Sequence, residues 1–135
     1  VPKSIPDNQP VGVGSAIAVG GRGQVQRVVM RLNATHTFDS DLDIALLAPD
    51  ATSVETSTDN GASGANYTNT IFNSACATAI TSGSAPFTGC FRPESSYVAF
   101  NGKQAQGAWQ LRIADDASGD IGTLNAWLLA LCVSQ

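Results

Sequence analysis

Charge is what this chain has least of. Aspartate, glutamate, lysine and arginine together make up 13% of its 135 residues, about half the usual quarter of a soluble globular domain. Lys3 and Lys103 are its two lysines, and the net charge is −4. No basic stripe exists to neutralise phosphates or an anionic lipid surface, which excludes nucleic acid and membrane as partners. No stretch approaches the roughly eighteen apolar residues of a membrane span, and the opening "VPKSIPDNQP" has no signal-peptide pattern. If the protein is exported, its targeting segment is expected to have been removed already. Histidine is scarcer still. His36 alone must serve any Ser/His/Asp or Cys/His arrangement, because each needs an imidazole to take the nucleophile's proton. GxSxG, HExxH and CxxC are all missing, so neither a nucleophile elbow nor a zinc centre has support.

Helical periodicity is missing too. In its place, strand-like runs alternate with Gly, Asn, Asp and Ser punctuation. "SAIAV" (15–19) ends at Gly20-Gly21. "QVQRVVMRLNATHTF" (24–38) puts Val28, Met30, Leu32, Ala34, His36 and Phe38 on one face, with Arg27, Arg31, Asn33, Thr35 and Thr37 on the other. "DLDIALLA" (41–48) stops at Pro49-Asp50, and "SYVAF" (96–100) stops at the hairpin signal Asn101-Gly102. "WQLRIAD" (109–115) alternates, with Trp109, Leu111 and Ile113 turned inward. "TLNAWLLALCV" (123–133) is apolar on both faces, the pattern of a central strand covered on both sides. Between about 58 and 93 the alternation dissolves into Gly, Ser, Asn and Thr. Such a loop is expected to be functional, or ordered by a ligand or crosslink. The pattern predicts an all-β chain: an antiparallel jelly-roll β-sandwich of about eight strands, one domain over residues 1–135.

Cys76 and Cys90 bracket the loop "CATAITSGSAPFTGC", and pairing them would close a 15-residue ring worth about 3 kcal/mol in the chain-entropy model. That pairing is expected; the alternative is three buried thiols. Cys132, in an apolar strand, is expected to act as a small hydrophobe.

The aspartates are more pointed. "FDSDLDIALLAPD" sets Asp39, Asp41 and Asp43 at alternate positions leading into a core strand, and "ADDASGDIG" adds Asp115, Asp116 and Asp120. Asp41 and Asp43 should project to one side of a strand. Were that strand beside 109–115, the five carboxylates of Asp41, Asp43, Asp115, Asp116 and Asp120 could converge on an oxygen-seeking cation such as calcium. Turn aspartates capping backbone N–H groups account for the same residues without a metal. The glutamates, Glu55 and Glu94, sit in loop contexts and make a poor glycosidase pair. His36, on the apolar face of its strand, reads as a packed, hydrogen-bonded structural residue.

"HTFDSDLDIALLAPDAT", "NYTNTIFNSA", "APFTGCFRPES" and "FNGKQAQGAWQLRIADDASGDIGTLNAWLLAL", in that order, resemble the P domain (P/Homo B domain) of proprotein convertases, especially the versions in bacterial secreted subtilisin-like proteases. The resemblance runs from about Ile5 to Val133. It implies a non-catalytic jelly roll of eight strands that accompanies a protease catalytic domain in the same polypeptide, aids its folding and stability, and is secreted. It also maps the family's recurrent aspartates onto Asp41, Asp115 and Asp120. Bacterial members often read F-D-D where this chain has Phe72-Asn73-Ser74, a loss of two carboxylates from that loop. Structural calcium, a protease partner, a possible protein substrate and a monomeric state are expected. The competing expectation is a free-standing calcium-dependent module that binds protein or carbohydrate.

Overall fold

The computed structural model describes residues 2–134 as two facing β-sheets. The strands are β1 (Lys3–Ile5), β2 (Gln9–Val19), β3 (Gln24–His36), β4 (Leu42–Leu47), β5 (Ser53–Thr58), β6 (Tyr67–Asn73), β7 (Gly89–Phe91), β8 (Gly107–Asp115) and β9 (Gly122–Ser134). One sheet has the order β1-β9-β3-β6-β7, the other β2-β8-β4-β5. All pairings are antiparallel except β6 with β7, which is parallel. The expected β-sandwich is therefore present, with nine strands where about eight were anticipated.

Period-two alternation decides which side of each strand enters the core. On β3, Val28, Met30, Leu32, Ala34 and His36 are buried; on β4, Leu42, Ile44 and Leu46; on β8, Trp109, Leu111 and Ile113. These faces meet between the sheets. Burying that apolar surface is the main favourable term, at roughly 25 cal/mol per Å². Buried polar bonds also join the sheets: Trp127 Nε1 donates to Ser15 Oγ at 2.9 Å between β9 and β2, the Ser57 and Tyr67 hydroxyls meet at 2.9 Å between β5 and β6, and His36 meets Asp115 at one end of the sandwich.

Three expectations fail. Residues 96–100 are not a strand; Tyr97–Phe100 form a 3₁₀ turn whose N-cap Ser96 accepts from Val98 N–H at 3.2 Å. The run alternates too weakly to hold a strand, and burying the rings of Tyr97 and Phe100 together needs the tighter turn. β9 is not covered on both sides. Its outer residues Ala126, Leu128, Ala130 and Cys132 are exposed, Leu128 by 53%. Cys132 is a free thiol on that open face rather than a core hydrophobe.

The aperiodic 58–93 segment holds more order than its composition suggests. It contains β6, β7 and a 3₁₀ turn at Ile80–Ser82, and Cys76 is bonded to Cys90 across a Cα–Cα distance of 5.8 Å. Its aromatic residues Tyr67, Phe72, Phe87 and Phe91 turn inward; Tyr67 stacks on Phe87, and Phe91 meets Phe87 edge-on.

Candidate cation-binding end of the sandwich

The acidic residues gather where β3 ends and where β4 and β9 begin. His36 is the last residue of β3 and Asp115 the last of β8, so they come from opposite sheets. Their side chains are fully buried, with His36 Nε2 2.8 Å from Asp115 Oδ2. Phe38 N–H donates to His36 Nδ1 at 3.1 Å, which places the ring proton on Nε2, facing the carboxylate. Asp115 Oδ1 accepts from Ala117 N–H at 3.0 Å. Both oxygens of Asp115 and both nitrogens of His36 are thus engaged. Gly122 makes room for the ring: a Cβ there would lie 2.7 Å from His36 Cδ2.

Asp41 and Asp120 flank this pair. Asp41 closes the 3₁₀ turn Asp39–Asp41 instead of opening the strand, so the two-residue alternation of β4 starts only at Leu42. Its backbone oxygen accepts from Asp116 N–H at 3.0 Å, stapling the β4 entry to the β8–β9 turn. Burial raises the Asp41 pKa, and Asp115 and Asp120 add to the rise. Asp120 Oδ1 accepts from Thr37 Oγ1 at 2.7 Å.

Asp43 and Asp116 face a different neighbour. β4 pairs with β5 so that Asp43 stands opposite Thr58, and Asp59 follows in a left-handed conformation with φ 56°. Asp43, Asp59 and Asp116 each offer a carboxylate oxygen within 4.8 Å of the others. Asp43 Oδ1 is buried and has no hydrogen-bond partner among the described residues. Burial first, then the charges of Asp116 and Asp59, push the Asp43 pKa up to about 7. Burial and then Asp116 raise that of Asp59. Three carboxylates this close, one with an orphaned oxygen, repel one another unless a cation or protons intervene. Hard oxygen donors of this kind suit calcium, with water completing the shell. The sequence did not point to Asp59; only the β4–β5 register brings it beside Asp43.

Asp39 is a separate case. It is 0% exposed, and neither carboxylate oxygen has a hydrogen-bond partner among the described residues. Burial raises its pKa to about 6, a rise that the nearby Asn66 N–H and His36 only partly offset.

Two sheets braced at one end by a buried histidine–carboxylate pair, with acidic turns beside it, define this chain as a β-sandwich domain. The chain belongs to the proprotein convertase P-domain family, which matches residues 25–131. It is similar to leupeptin-inactivating enzyme 1 of Streptomyces exfoliatus, with 29% identity over 126 residues, covering 92% of this chain and 23% of the enzyme. Its fold is similar to that of a serine protease of Aeromonas sobria (TM-score 0.64, 20% identity, 95% of this chain and 24% of the protease). The same protease in complex with a chaperone gives a TM-score of 0.65 at 21% identity, over 95% of this chain and 24% of that one. The chain thus spans about a quarter of the length of these relatives.

Proposed function

We propose that this chain is a non-catalytic accessory domain of a secreted subtilisin-like serine protease, in which it supports the folding and stability of the catalytic portion. The observation that carries the reading is the state of His36. It is the only histidine, it is buried, and both ring nitrogens are committed to Asp115 and Phe38 N–H. A general base must reach the proton it abstracts, and this ring reaches no external substrate. Membership of the P-domain family supports the same view.

Docking would use the outer face of the β9–β3–β6 sheet. Leu128 stands beside Arg31 and Ile71 in one row, and Ala130 beside Val29 in the next, all on the face turned away from the core. Tyr67, Phe87, Phe91 and Tyr97, the aromatic residues in and beside the 58–93 segment, are buried and offer no platform for a sugar. That weighs against the carbohydrate-binding alternative. Structural calcium at Asp43, Asp59 and Asp116 would tie the β5 end to the β8–β9 turn, a bracing rather than a catalytic role. The set of ligands suggested by sequence spacing narrows accordingly, since Asp115 is held by His36 and Asp120 by Thr37.

The test starts from the reading frame upstream of the codon for Val1. It is expected to encode a serine protease domain, and that domain expressed without these 135 residues should yield much less active enzyme. A frame with no protease, or full protease yield without the domain, would overturn the proposal.

A further inference from the structure

We propose that the buried Asp39 carboxylate anchors a second site for a hard, oxygen-seeking cation of the calcium type, beneath the loop 59–66 and separate from Asp43, Asp59 and Asp116. The loop lies directly on Asp39. A Cβ at Gly61 would come 2.8 Å from Asp39 Cβ and 3.0 Å from the Phe87 ring. Asp39 N–H donates to Gly64 O at 2.8 Å and Ser40 N–H to Ala62 O at 3.2 Å. Asn66 closes the other side, its Oδ1 accepting from His36 N–H at 3.1 Å and its N–H donating to His36 O at 3.1 Å. Oxygens of Ala62, Gly64, Asn66 and His36 are therefore held around residues 36–40, each with a lone pair beyond the one already used. The chain reaches this arrangement only by placing Asp59, Gly61, Ala62 and Asn66 at positive φ (56°, 96°, 48° and 74°).

Among the described residues, no side chain neutralises Asp39. His36 is committed to Asp115 and Phe38. Lys3, Arg92, Lys103 and Arg112 bond elsewhere, and Arg22, Arg27 and Arg31 are exposed on or just before β3. A proton would remove the charge but leave the acid's buried carbonyl oxygen without a donor, since neither oxygen has a hydrogen-bond partner among the described residues. A cation resolves both, because it binds the carboxylate directly and draws on carbonyl oxygens and water for the rest of its shell. With a single carboxylate, affinity should fall in the weak range of extracellular modules, about 10⁻⁴–10⁻³ M.

The experiment is terbium luminescence on the whole 135-residue chain, with calcium as competitor and lifetimes compared in H₂O and D₂O to count bound waters. Two populations are expected. The Asp39 population should be poor in water and disappear in Asp39→Asn. The population at the exposed triad should be rich in water and disappear in Asp43→Asn. Water-poor emission that persists in a folded Asp39→Asn protein overturns the inference, as does a wild type showing only water-rich emission. If Asp39→Asn fails to fold, the wild-type lifetimes decide alone. Absence of the water-rich population by itself counts against the triad and leaves the Asp39 site standing.

Discussion

His36 and Asp115 show how much one buried pair can carry. Removing the imidazole strands a fully buried carboxylate whose remaining partner is a single backbone N–H. Breaking a buried pair from one side typically costs about 3–5 kcal/mol. His36→Ala should therefore lower the urea midpoint by an amount of that order, whereas the double variant His36→Ala, Asp115→Ala, which strands no charge, should lose less per residue removed. A His36→Ala loss below about 1 kcal/mol, no more than an exposed ion pair contributes, would show that the pair does not brace the sandwich. The structural role of His36 was legible in sequence, from its place in the inward series Val28, Met30, Leu32, Ala34. Its partner was not, since residues 36 and 115 meet only once the two sheets face each other.

Among the elements, the 74–92 segment departs most from its sequence. It has almost no strand periodicity, yet β7 pairs in parallel with β6 through Thr70↔Gly89, Ile71↔Cys90 and Phe72↔Phe91. The disulfide pins one end of this pairing, and Arg92 Nη1 donates to Cys76 O at 3.1 Å and to Ala77 O at 2.7 Å. Replacing both Cys76 and Cys90 by serine should cost about 3 kcal/mol, the loop-closure value for a ring of this size, measured by urea unfolding of the double variant against wild type. The fold should survive, because Phe87 remains buried between Tyr67 and Phe91. Unfolding of the double variant in plain buffer would mean that the crosslink, not the aromatic cluster, orders the segment. β9 teaches the reverse lesson. Its two apolar faces suggested a strand covered on both sides, but one face is open, and apolarity cannot distinguish a core from a surface kept for docking.

Over the whole molecule, the crowded carboxylates set the pH response. Asp39 and Asp43 have pKa values raised from 3.8 to about 6 and about 7. Between those limits the folded chain binds more protons than the unfolded one, so their contribution to stability falls as pH rises. In cation-free buffer, the melting temperature of the wild type measured against the Asp39→Asn, Asp43→Asn double variant should decline from about pH 4 to about pH 7 and then level off. Saturating calcium should remove most of that decline and raise the melting temperature at neutral pH, by linkage. An unchanged difference across this range would mean that water or unseen donors already satisfy both carboxylates.

What the sequence determined by itself was local: two-residue periodicity, turn residues and the order of the strands, which together suffice for an all-β sandwich and for most of its core. Those signals depend on neighbours along the chain, which a single sequence displays. Only the tertiary structure decided which aspartates meet. Spacing grouped Asp41 with Asp43, but Asp41 ends the 3₁₀ turn before β4, and the β4–β5 register delivers Asp59 to Asp43 while the β8–β9 turn delivers Asp116. It alone also decided that Asp39 would be sealed under a loop more than twenty residues away. Charge interactions act through space, and the distances that govern them come into being only when the sheets close.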